Sequence, residues 1–150
     1  MQNFYYKSPV GILEIGLREK TIHSLKITKK FKENKEENPY FKIVKKQLDE
    51  YFSGKRKEFE LDISFFGTDF QKAVWEELRK IPYGKTKSYQ EIAKLIKKPN
   101  AQRAVGSACG KNSILLVVPC HRVISKSKAL GGFAYDLKIK SKLLKLEGAI

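Results

Sequence analysis

The sequence predicts an α/β (α+β) protein in two parts, a β-rich first part with one helix and a helical second part. Between residues 3 and 29, apolar residues alternate with polar ones, which is typical of β-strands. Beyond residue 68, apolar residues recur at helical spacing after residues that can cap a helix. The pattern changes between these regions, and we therefore expect two domains, residues 1–65 and 66–150.

A small antiparallel sheet and one helix are predicted for the first part. Three strands are expected, at residues 4–6, 11–17 and 21–28. The charged segment 29–38 is expected to be an exposed connection, and Pro39 is expected to open a helix that stops at Gly54. Residues 55–66 are expected to form either another short strand or an extended linker.

The second part is predicted to be mainly helical. Helix caps are expected at Thr68, Ser88, Asn100 and Asp136. The helices that they begin are expected to end near residues 80, 97, 108 and 148. The middle two are joined by a tight polar turn around Pro99, which is typical of a helix-turn-helix but also of plain helix packing. The apolar run 114–118 is expected to be a short buried strand or extended segment that leads into Cys120.

The charge of the chain indicates a polyanionic partner. Thirty-one Lys and Arg residues against sixteen Asp and Glu residues give a formal net charge of +15. Between Lys85 and Lys128, ten basic residues accompany a single acidic one, Glu91. This local excess favours a nucleic-acid-binding surface, and the alternative is a surface covered with solvated lysines.

The two cysteines, Cys109 and Cys120, are too few for a disulfide scaffold and have no CxxC spacing for zinc. This usage fits a reducing, intracellular setting. The sequence has no apolar run of membrane-spanning length, and residues 1–20 lack the apolar core of a signal peptide. We therefore expect a cytoplasmic protein that does not enter a membrane.

Cys120 is the candidate nucleophile, because His121 and Arg122 follow it directly. A thiol is weakly nucleophilic until it is deprotonated, and a neighbouring His or Arg lowers its pKa. The alternative is a buried structural cysteine, since free cysteine is often buried. Adjacent residues of an extended chain point to opposite sides, so a link from Cys120 to His121 is expected to need a bridging water.

The residues around Cys120 resemble the active-site signature of the O6-alkylguanine-DNA alkyltransferases, the suicide DNA-repair methyltransferases. The resemblance covers about half of the chain, in one order and at compatible spacings. Its blocks are Phe70-Gln71, Val74-Trp75, Ile81-Pro82-Tyr83-Gly84, Ser88-Tyr89, Arg103-Ala104-Val105-Gly106, Asn112, Pro119-Cys120-His121-Arg122-Val123, Gly131-Gly132-Phe133 and Leu146-Glu147-Gly148.

The resemblance implies a fold and an activity. The first domain would be like the ribonuclease-H-like half of this family, and the second would hold the helix-turn-helix and the reactive cysteine. The activity would be transfer of a methyl or small alkyl group from O6-alkylguanine in duplex DNA to Cys120, after base flipping. Each molecule would act once, as a monomer, without a cofactor or metal.

The resemblance also assigns site residues. Cys120, His121 and Glu147 match the family's proton relay, Tyr89 matches the proton donor to the guanine ring, and Asn112 matches the brace of the active-site loop. DNA contacts are implied for Arg103, Ala104, Gly106, Ser88 and Arg122. Arg103 would be the finger that replaces the flipped base, or else a phosphate contact. Pocket residues are implied at Tyr89, Val118, Gly131, Gly132, Phe133 and Ala134.

Two other functions compete with this interpretation. One is a non-enzymatic protein that recognises alkylated bases, although such proteins replace the cysteine. The other is a cysteine hydrolase, which would need an oxyanion site and turnover. Two departures from the family pattern, Ser113 in place of proline and the segment 133–136, leave loop rigidity and pocket size open.

Overall fold

A computed structural model describes residues 1–125 and 135–150 of the chain. Within them, Met1–Phe65 and Phe66–Ile150 form two units, here called unit 1 and unit 2. Strands dominate unit 1 and helices dominate unit 2, so the predicted mixed α/β class is confirmed. None of the described helices is long and apolar enough to cross a membrane.

Unit 1 is built on an antiparallel sheet with the strand order β1-β2-β3. Its strands are β1 (Gln2–Ser8), β2 (Gly11–Arg18) and β3 (Thr21–Thr28). Two-residue turns join them, because Ser8 pairs with Gly11 and Arg18 pairs with Thr21. Leu13, Ile15 and Leu17 of the central strand are buried, as expected for alternate residues on one face of a sheet. The three predicted strands are confirmed.

One helix, α1 (Pro39–Phe52), packs on β1. Asn38 caps it by accepting hydrogen bonds from two amides of the first turn. Pro39 begins it, since the first helical position needs no amide donor. The ring of Phe41 stacks on the ring of Phe4 with the centroids 4.5 Å apart. The helix predicted to open at Pro39 is therefore confirmed.

The segment 55–66 begins with bends and does not form a strand of the sheet. Its contact with β3 is an isolated bridge between Ile63 and Ile22. The Ile22 amide donates to the Asp62 carbonyl at 2.9 Å, and the Ser64 amide donates to the Ile22 carbonyl at 2.9 Å. Of the two alternatives left by the sequence, the short strand is therefore not observed.

Unit 2 contains helices and two very short strands in its described part. They are α2 (Asp69–Arg79), β4 (Lys87–Ser88), α3 (Tyr89–Leu95), α4 (Gln102–Gly110), β5 (Val123–Ile124) and α5 (Leu137–Leu146). Strands β4 and β5 pair in parallel, which ties the start of α3 to the segment that follows Cys120. Trp75 of α2 donates from Nε1 to the Ala108 carbonyl of α4 at 2.9 Å, which holds α4 against α2.

Capping boxes begin α2 and α3. Thr68 Oγ1 accepts from the Gln71 amide at 3.1 Å, and Gln71 Oε1 accepts from the Thr68 amide at 3.0 Å. Ser88 and Glu91 exchange the same two bonds at 3.0 and 3.2 Å. Asp136 caps α5 by accepting from an amide of its first turn. The caps predicted at Thr68, Ser88 and Asp136 are confirmed.

The turn between α3 and α4 differs from the prediction at both ends. Helix α3 ends at Leu95 because Lys97 has a left-handed φ of 62° and the amides of Lys97 and Lys98 bond back to α3 carbonyls. The Ala101 amide then bonds to the Lys98 carbonyl at 2.9 Å, which shifts the start of α4 past Asn100. The cap predicted at Asn100 is wrong, since Ala101 occupies the cap position without a side-chain bond.

The short strand or extended segment expected at residues 114–118 is also wrong. The segment is a series of tight turns, in which the Val117 amide bonds to the Leu115 carbonyl at 2.9 Å and the Val118 amide bonds to the Ile114 carbonyl at 3.0 Å. Leu116 has a left-handed φ of 72°, which no regular strand allows. All five side chains are buried, so the apolar run reflects burial rather than strand periodicity.

Candidate active site

Cys120 lies at the start of a single 3₁₀ turn, Cys120–Arg122, and is 1% exposed. The turn replaces the extended conformation expected for Cys120 and His121. Burial raises the pKa of the Cys120 thiol above its usual value. A hydrogen bond from Asn112 and the positive charge of Lys140 act in the opposite direction and favour the thiolate. Burial therefore opposes ionisation of the Cys120 thiol, and Asn112 and Lys140 reduce that opposition.

Asn112 joins the thiol to the loop that carries it. Its Nδ2 donates to the Val118 carbonyl at 2.8 Å and to Cys120 Sγ at 3.2 Å. Its Oδ1 accepts from the Ile114 amide at 2.9 Å. One buried side chain thus bonds to both ends of the turn segment 114–118 and to the sulfur.

Glu147 holds His121 and Arg122 together in the buried interior of unit 2. Its Oε2 lies 2.8 Å from His121 Nε2, and its two oxygens accept from Arg122 Nε and Nη2 at 2.8 and 3.0 Å. Burial alone would raise the pKa of Glu147, but the bonds from His121 and Arg122 outweigh it and lower that pKa to about 2. The carboxylate is therefore ionised at neutral pH.

His121 has one nitrogen engaged and one available. Burial lowers the pKa of His121, and the Glu147 carboxylate only partly opposes this effect, so the neutral ring is favoured at neutral pH. Because Nε2 faces the carboxylate, the ring hydrogen belongs on Nε2, and Nδ1 carries a lone pair. Among the described residues, buried Nδ1 has no hydrogen-bond partner. His121 is therefore set to accept a proton at Nδ1.

The end of α5 fixes the position of Glu147. Glu147 is the C-cap, and Gly148 follows with a left-handed φ of 74°. The Gly148 amide bonds to the Lys145 carbonyl at 3.0 Å, and the Ala149 amide bonds to the Leu144 carbonyl at 2.9 Å. These are the two bonds of a Schellman motif. Gly84 packs beside it, where a Cβ would stand 3.0 Å from the Glu147 carbonyl oxygen.

Tyr89 and Lys140 lie together at the start of α3. Lys140 Nζ donates to the Val123 carbonyl at 2.6 Å and lies 3.4 Å from the Tyr89 hydroxyl oxygen. Gly106 of α4 lies against the ring, since a Cβ at this position would stand 3.8 Å from two ring carbons. Lys140 is fully buried, and the predicted site residues did not include it. Its helical spacing from Leu144 and Glu147 is the signal that could have placed it on the inner face.

Two residues expected to contact DNA are engaged inside unit 2. Arg122 is 7% exposed, and besides Glu147 its Nη1 donates to the Ile81 carbonyl at 2.7 Å. The DNA contact expected of Arg122 stays a prediction, and the buried ion pair that engages its guanidinium argues against it. Ser88 is 9% exposed, and its hydroxyl caps α3. The Ser88 hydroxyl therefore fixes the start of α3, where Tyr89 lies, and its expected DNA contact stays a prediction.

The outer side of α4 presents the other expected DNA contacts. Arg103 and Ala104 are exposed, and Gly106 is half-buried. Val105, Ala108 and Cys109 form the buried side of α4. Burial raises the pKa of Cys109 to about 12, with a smaller contribution from nearby Cys120, so Cys109 stays a neutral thiol at neutral pH. Arg103 is therefore an exposed cation on a helix whose opposite side is buried in unit 2.

The expected pocket residues are only partly described. Val118 is buried beside the cysteine, and Tyr89 is half-buried. Gly131, Gly132, Phe133 and Ala134 lie outside the described residues. Within residues 1–125 and 135–150, no three His, Cys, Asp or Glu side chains are grouped so that they could hold a metal ion.

Two family models match this chain. The model described as "6-O-methylguanine DNA methyltransferase, DNA binding domain" matches residues 69–149, and the model described as "6-O-methylguanine DNA methyltransferase, ribonuclease-like domain" matches residues 1–65. The chain belongs to the 6-O-methylguanine DNA methyltransferase family. The family resemblance seen in the sequence is thereby confirmed.

Several named proteins and solved structures are similar to this chain, some over nearly all of its length and others over about half. The methylated-DNA--protein-cysteine methyltransferase of Methanosarcina acetivorans is 45% identical, with 96% of each chain covered. The crystal structure of Mycobacterium tuberculosis OGT in complex with DNA matches with a TM-score of 0.90 and 38% identity, over 99% of this chain and 94% of that one. S. pombe Atl1, in complex with damaged DNA containing O6-carboxymethylguanine, has a TM-score of 0.50 and 30% identity over 55% of this chain and 80% of its own.

Proposed function

We propose that this protein repairs duplex DNA by transferring a methyl or small alkyl group from O6-alkylguanine to Sγ of Cys120, once per molecule. The observation that carries this proposal is the buried thiol bonded to Asn112 and followed directly by the His121–Glu147 pair. The match of both family models along the chain supports the same activity.

The transfer begins with deprotonation of the thiol. His121 Nδ1 accepts the proton, through a bridging water, and the Glu147 carboxylate stabilises the imidazolium that forms. The thiolate then attacks the alkyl carbon. The new S–C bond forms as the bond between carbon and guanine O6 breaks, and the electron pair of that bond moves to the purine. The product on the protein is a thioether, so no second turnover follows.

The guanine that leaves is an anion until it gains a proton. Tyr89 is placed by the cap at Ser88 at the first position of α3, on the same side of unit 2 as Lys140. We assign Tyr89 the role of donating its hydroxyl proton to the purine ring. A donor of this kind favours the transition state over the ground state, because the negative charge grows only as the bond breaks.

The alkyl carbon can reach a buried thiol only if the base leaves the helix stack. We propose that α4 enters the DNA, that Arg103 fills the place of the flipped base, and that small Ala104 and Gly106 let the backbone come close. The exposed position of Arg103 and the DNA complex of the similar M. tuberculosis protein support this assignment. Val118, Tyr89 and the segment 131–134 are proposed to line the pocket.

A recognition protein without alkyl transfer is the second candidate. The partial likeness to S. pombe Atl1 bound to damaged DNA favours it. The thiol of Cys120, its bond from Asn112 and the adjacent His121 argue against it, because recognition alone needs no activated nucleophile. We propose that the protein acts as a monomer in the cytoplasm, where its two free cysteines stay reduced.

A single-turnover assay with duplex DNA containing one O6-methylguanine tests the proposal. Methyl transfer is expected to saturate at one equivalent per protein and to vanish in the Cys120→Ser variant. The Cys109→Ser variant is the matched control and should keep full transfer. Tight binding of the lesion without any methyl transfer would favour the recognition protein instead.

A further inference from the structure

The turn that follows α2 carries an aromatic residue, Tyr83, that the proposed transfer does not use. In this turn the Lys85 amide donates to the Pro82 carbonyl at 3.1 Å, and Gly84 has a left-handed φ of 79°. The turn comes close to the end of α5, because a Cβ on Gly84 would stand 3.0 Å from the Glu147 carbonyl oxygen. Glycine permits both the conformation and the close approach. The turn thereby places Tyr83 beside the last residues of α5.

Tyr83 makes two contacts with the groups that surround the Glu147 carboxylate. Its hydroxyl donates to the Leu146 carbonyl at 3.2 Å. That carbonyl belongs to the last turn of α5, where carbonyls lack an intrahelical amide, and Leu146 directly precedes Glu147 in the chain. The guanidinium of Arg122 lies over the Tyr83 ring, with 5.9 Å between Cζ and the ring centroid. One side chain therefore contacts both the backbone next to the carboxylate and the cation that pairs with it.

The Tyr83 ring adds an aromatic contact to the polar contacts of Arg122. The guanidinium donates to Glu147 from Nε and Nη2 and to the Ile81 carbonyl from Nη1. A cation over an aromatic ring is attracted by the ring's quadrupole, and more strongly when the cation is withdrawn from water, as this buried guanidinium is. The ring therefore helps to hold the guanidinium in the position from which it binds the carboxylate.

We propose that Tyr83 is a positioning residue for alkyl transfer, which holds the Glu147 carboxylate against His121 through Arg122 and the end of α5. This inference rests on the proposed function, in which that carboxylate stabilises the imidazolium. Burial raises the pKa of the Tyr83 hydroxyl, and nearby Glu147 adds to this rise while Arg122 opposes it. The hydroxyl therefore keeps its proton at neutral pH and remains a donor to the Leu146 carbonyl.

Loss of the Tyr83 side chain should be detectable at His121 without DNA. In the unmodified protein the hydrogen on His121 Nε2 is donated to a buried carboxylate, which protects it from exchange with water. Displacement of Glu147 lengthens that hydrogen bond, so the hydrogen exchanges faster. Burial lowers the pKa of His121 and the carboxylate opposes this effect. The same displacement should therefore lower the pKa of His121 further.

NMR of the protein with ¹⁵N-labelled histidine tests this role. The chain has two histidines, and His23 of unit 1 is the internal reference. Tyr83→Leu is expected to speed exchange of the His121 Nε2 hydrogen about tenfold, because an aromatic contact and a hydrogen bond are both lost. Tyr83→Phe keeps the ring and should speed it only about threefold. Tyr40→Leu, which removes a half-buried tyrosine whose hydroxyl bonds to a backbone amide in unit 1, is the control and should leave exchange unchanged.

Unchanged exchange at His121 in folded Tyr83→Leu protein would overturn the inference, and so would an equal increase in Tyr40→Leu. If Tyr83→Leu does not fold, Tyr83→Phe decides, and exchange as slow as in the unmodified protein would overturn it. The single-turnover rate of methyl transfer should fall with the faster exchange, while the affinity for the lesion duplex stays the same. The NMR measurement needs no substrate, so a protein with the expected exchange that accepts no methyl group would contradict the proposed function alone.

Discussion

Glu147 is the residue on which most of the site depends, because one carboxylate receives hydrogen bonds from both His121 and Arg122. The sequence predicted the link to His121 by family resemblance, but it placed Arg122 at the DNA surface. A long-range buried pair leaves no local pattern in the sequence, and an arginine in a basic region is more often exposed. The three residues form one unit, in which removal of either Glu147 or Arg122 leaves the other with an uncompensated buried charge.

Replacement of Glu147 is expected to weaken both activity and stability. In Glu147→Gln the Arg122 charge remains buried without its carboxylate, and we expect a loss of about 3–5 kcal/mol in the free energy of unfolding. Urea unfolding at neutral pH measures this loss. Glu77→Gln, which breaks an exposed ion pair with Lys80, is the control and should cost less than about 1 kcal/mol.

The same carboxylate should control stability in acid. Its pKa is lowered from 4.5 to about 2 in the folded protein, so its contribution is fully present above pH 4.5 and is lost as the pH falls toward 2. The unmodified protein should therefore lose more stability over this interval than Glu147→Gln does. Parallel denaturation curves across the interval provide the comparison, and equal losses would mean that Glu147 is not held in its ionised form.

At the scale of the elements, helix caps set by side chains close together in the sequence were predicted well, and turns set by the backbone conformation were predicted poorly. The caps at Thr68, Ser88 and Asp136 were identified because a capping residue and its partner lie within one turn of each other. The cap at Asn100 and the strand or extended segment at 114–118 were wrong. In both places the course of the backbone is set by a turn that contains a left-handed residue, Lys97 or Leu116. Neither lysine nor leucine favours that conformation, so the sequence does not predict it.

The left-handed Lys97 offers a test of the turn between α3 and α4. A glycine adopts this conformation without the steric cost that a Cβ imposes, so Lys97→Gly should raise the free energy of unfolding by about 1 kcal/mol. Lys98→Gly is the neighbouring control and should not stabilise the protein. A destabilised Lys97→Gly protein would show that α3 does not end in the left-handed turn at Lys97.

At the scale of the whole molecule, the net charge of +15 favours a general attraction to DNA, to which the proposed insertion of Arg103 would add a specific contact. The number of charged residues can be counted from the sequence, but the sequence does not show which of them are exposed. Arg122 is buried in unit 2, whereas Arg103 is exposed. The two family models match residues 1–65 and 69–149, and the roles of Arg103 and its neighbours are proposals.

The proposed role of Arg103 predicts different losses on two substrates. Arg103→Ala should slow repair of O6-methylguanine in duplex DNA far more than reaction with the free O6-alkylguanine base, because only the duplex requires base flipping. Arg18→Ala removes an exposed charge from unit 1 and serves as the control. Equal losses on both substrates would contradict the assignment.

Mass spectrometry of the protein after reaction with a duplex that contains one O6-methylguanine tests the central claim most directly. The account predicts the mass gain of a single methyl group and, after peptide mapping, its location on Cys120. A methyl group on Cys109 or His121, or an unchanged mass despite binding to the lesion, would contradict it.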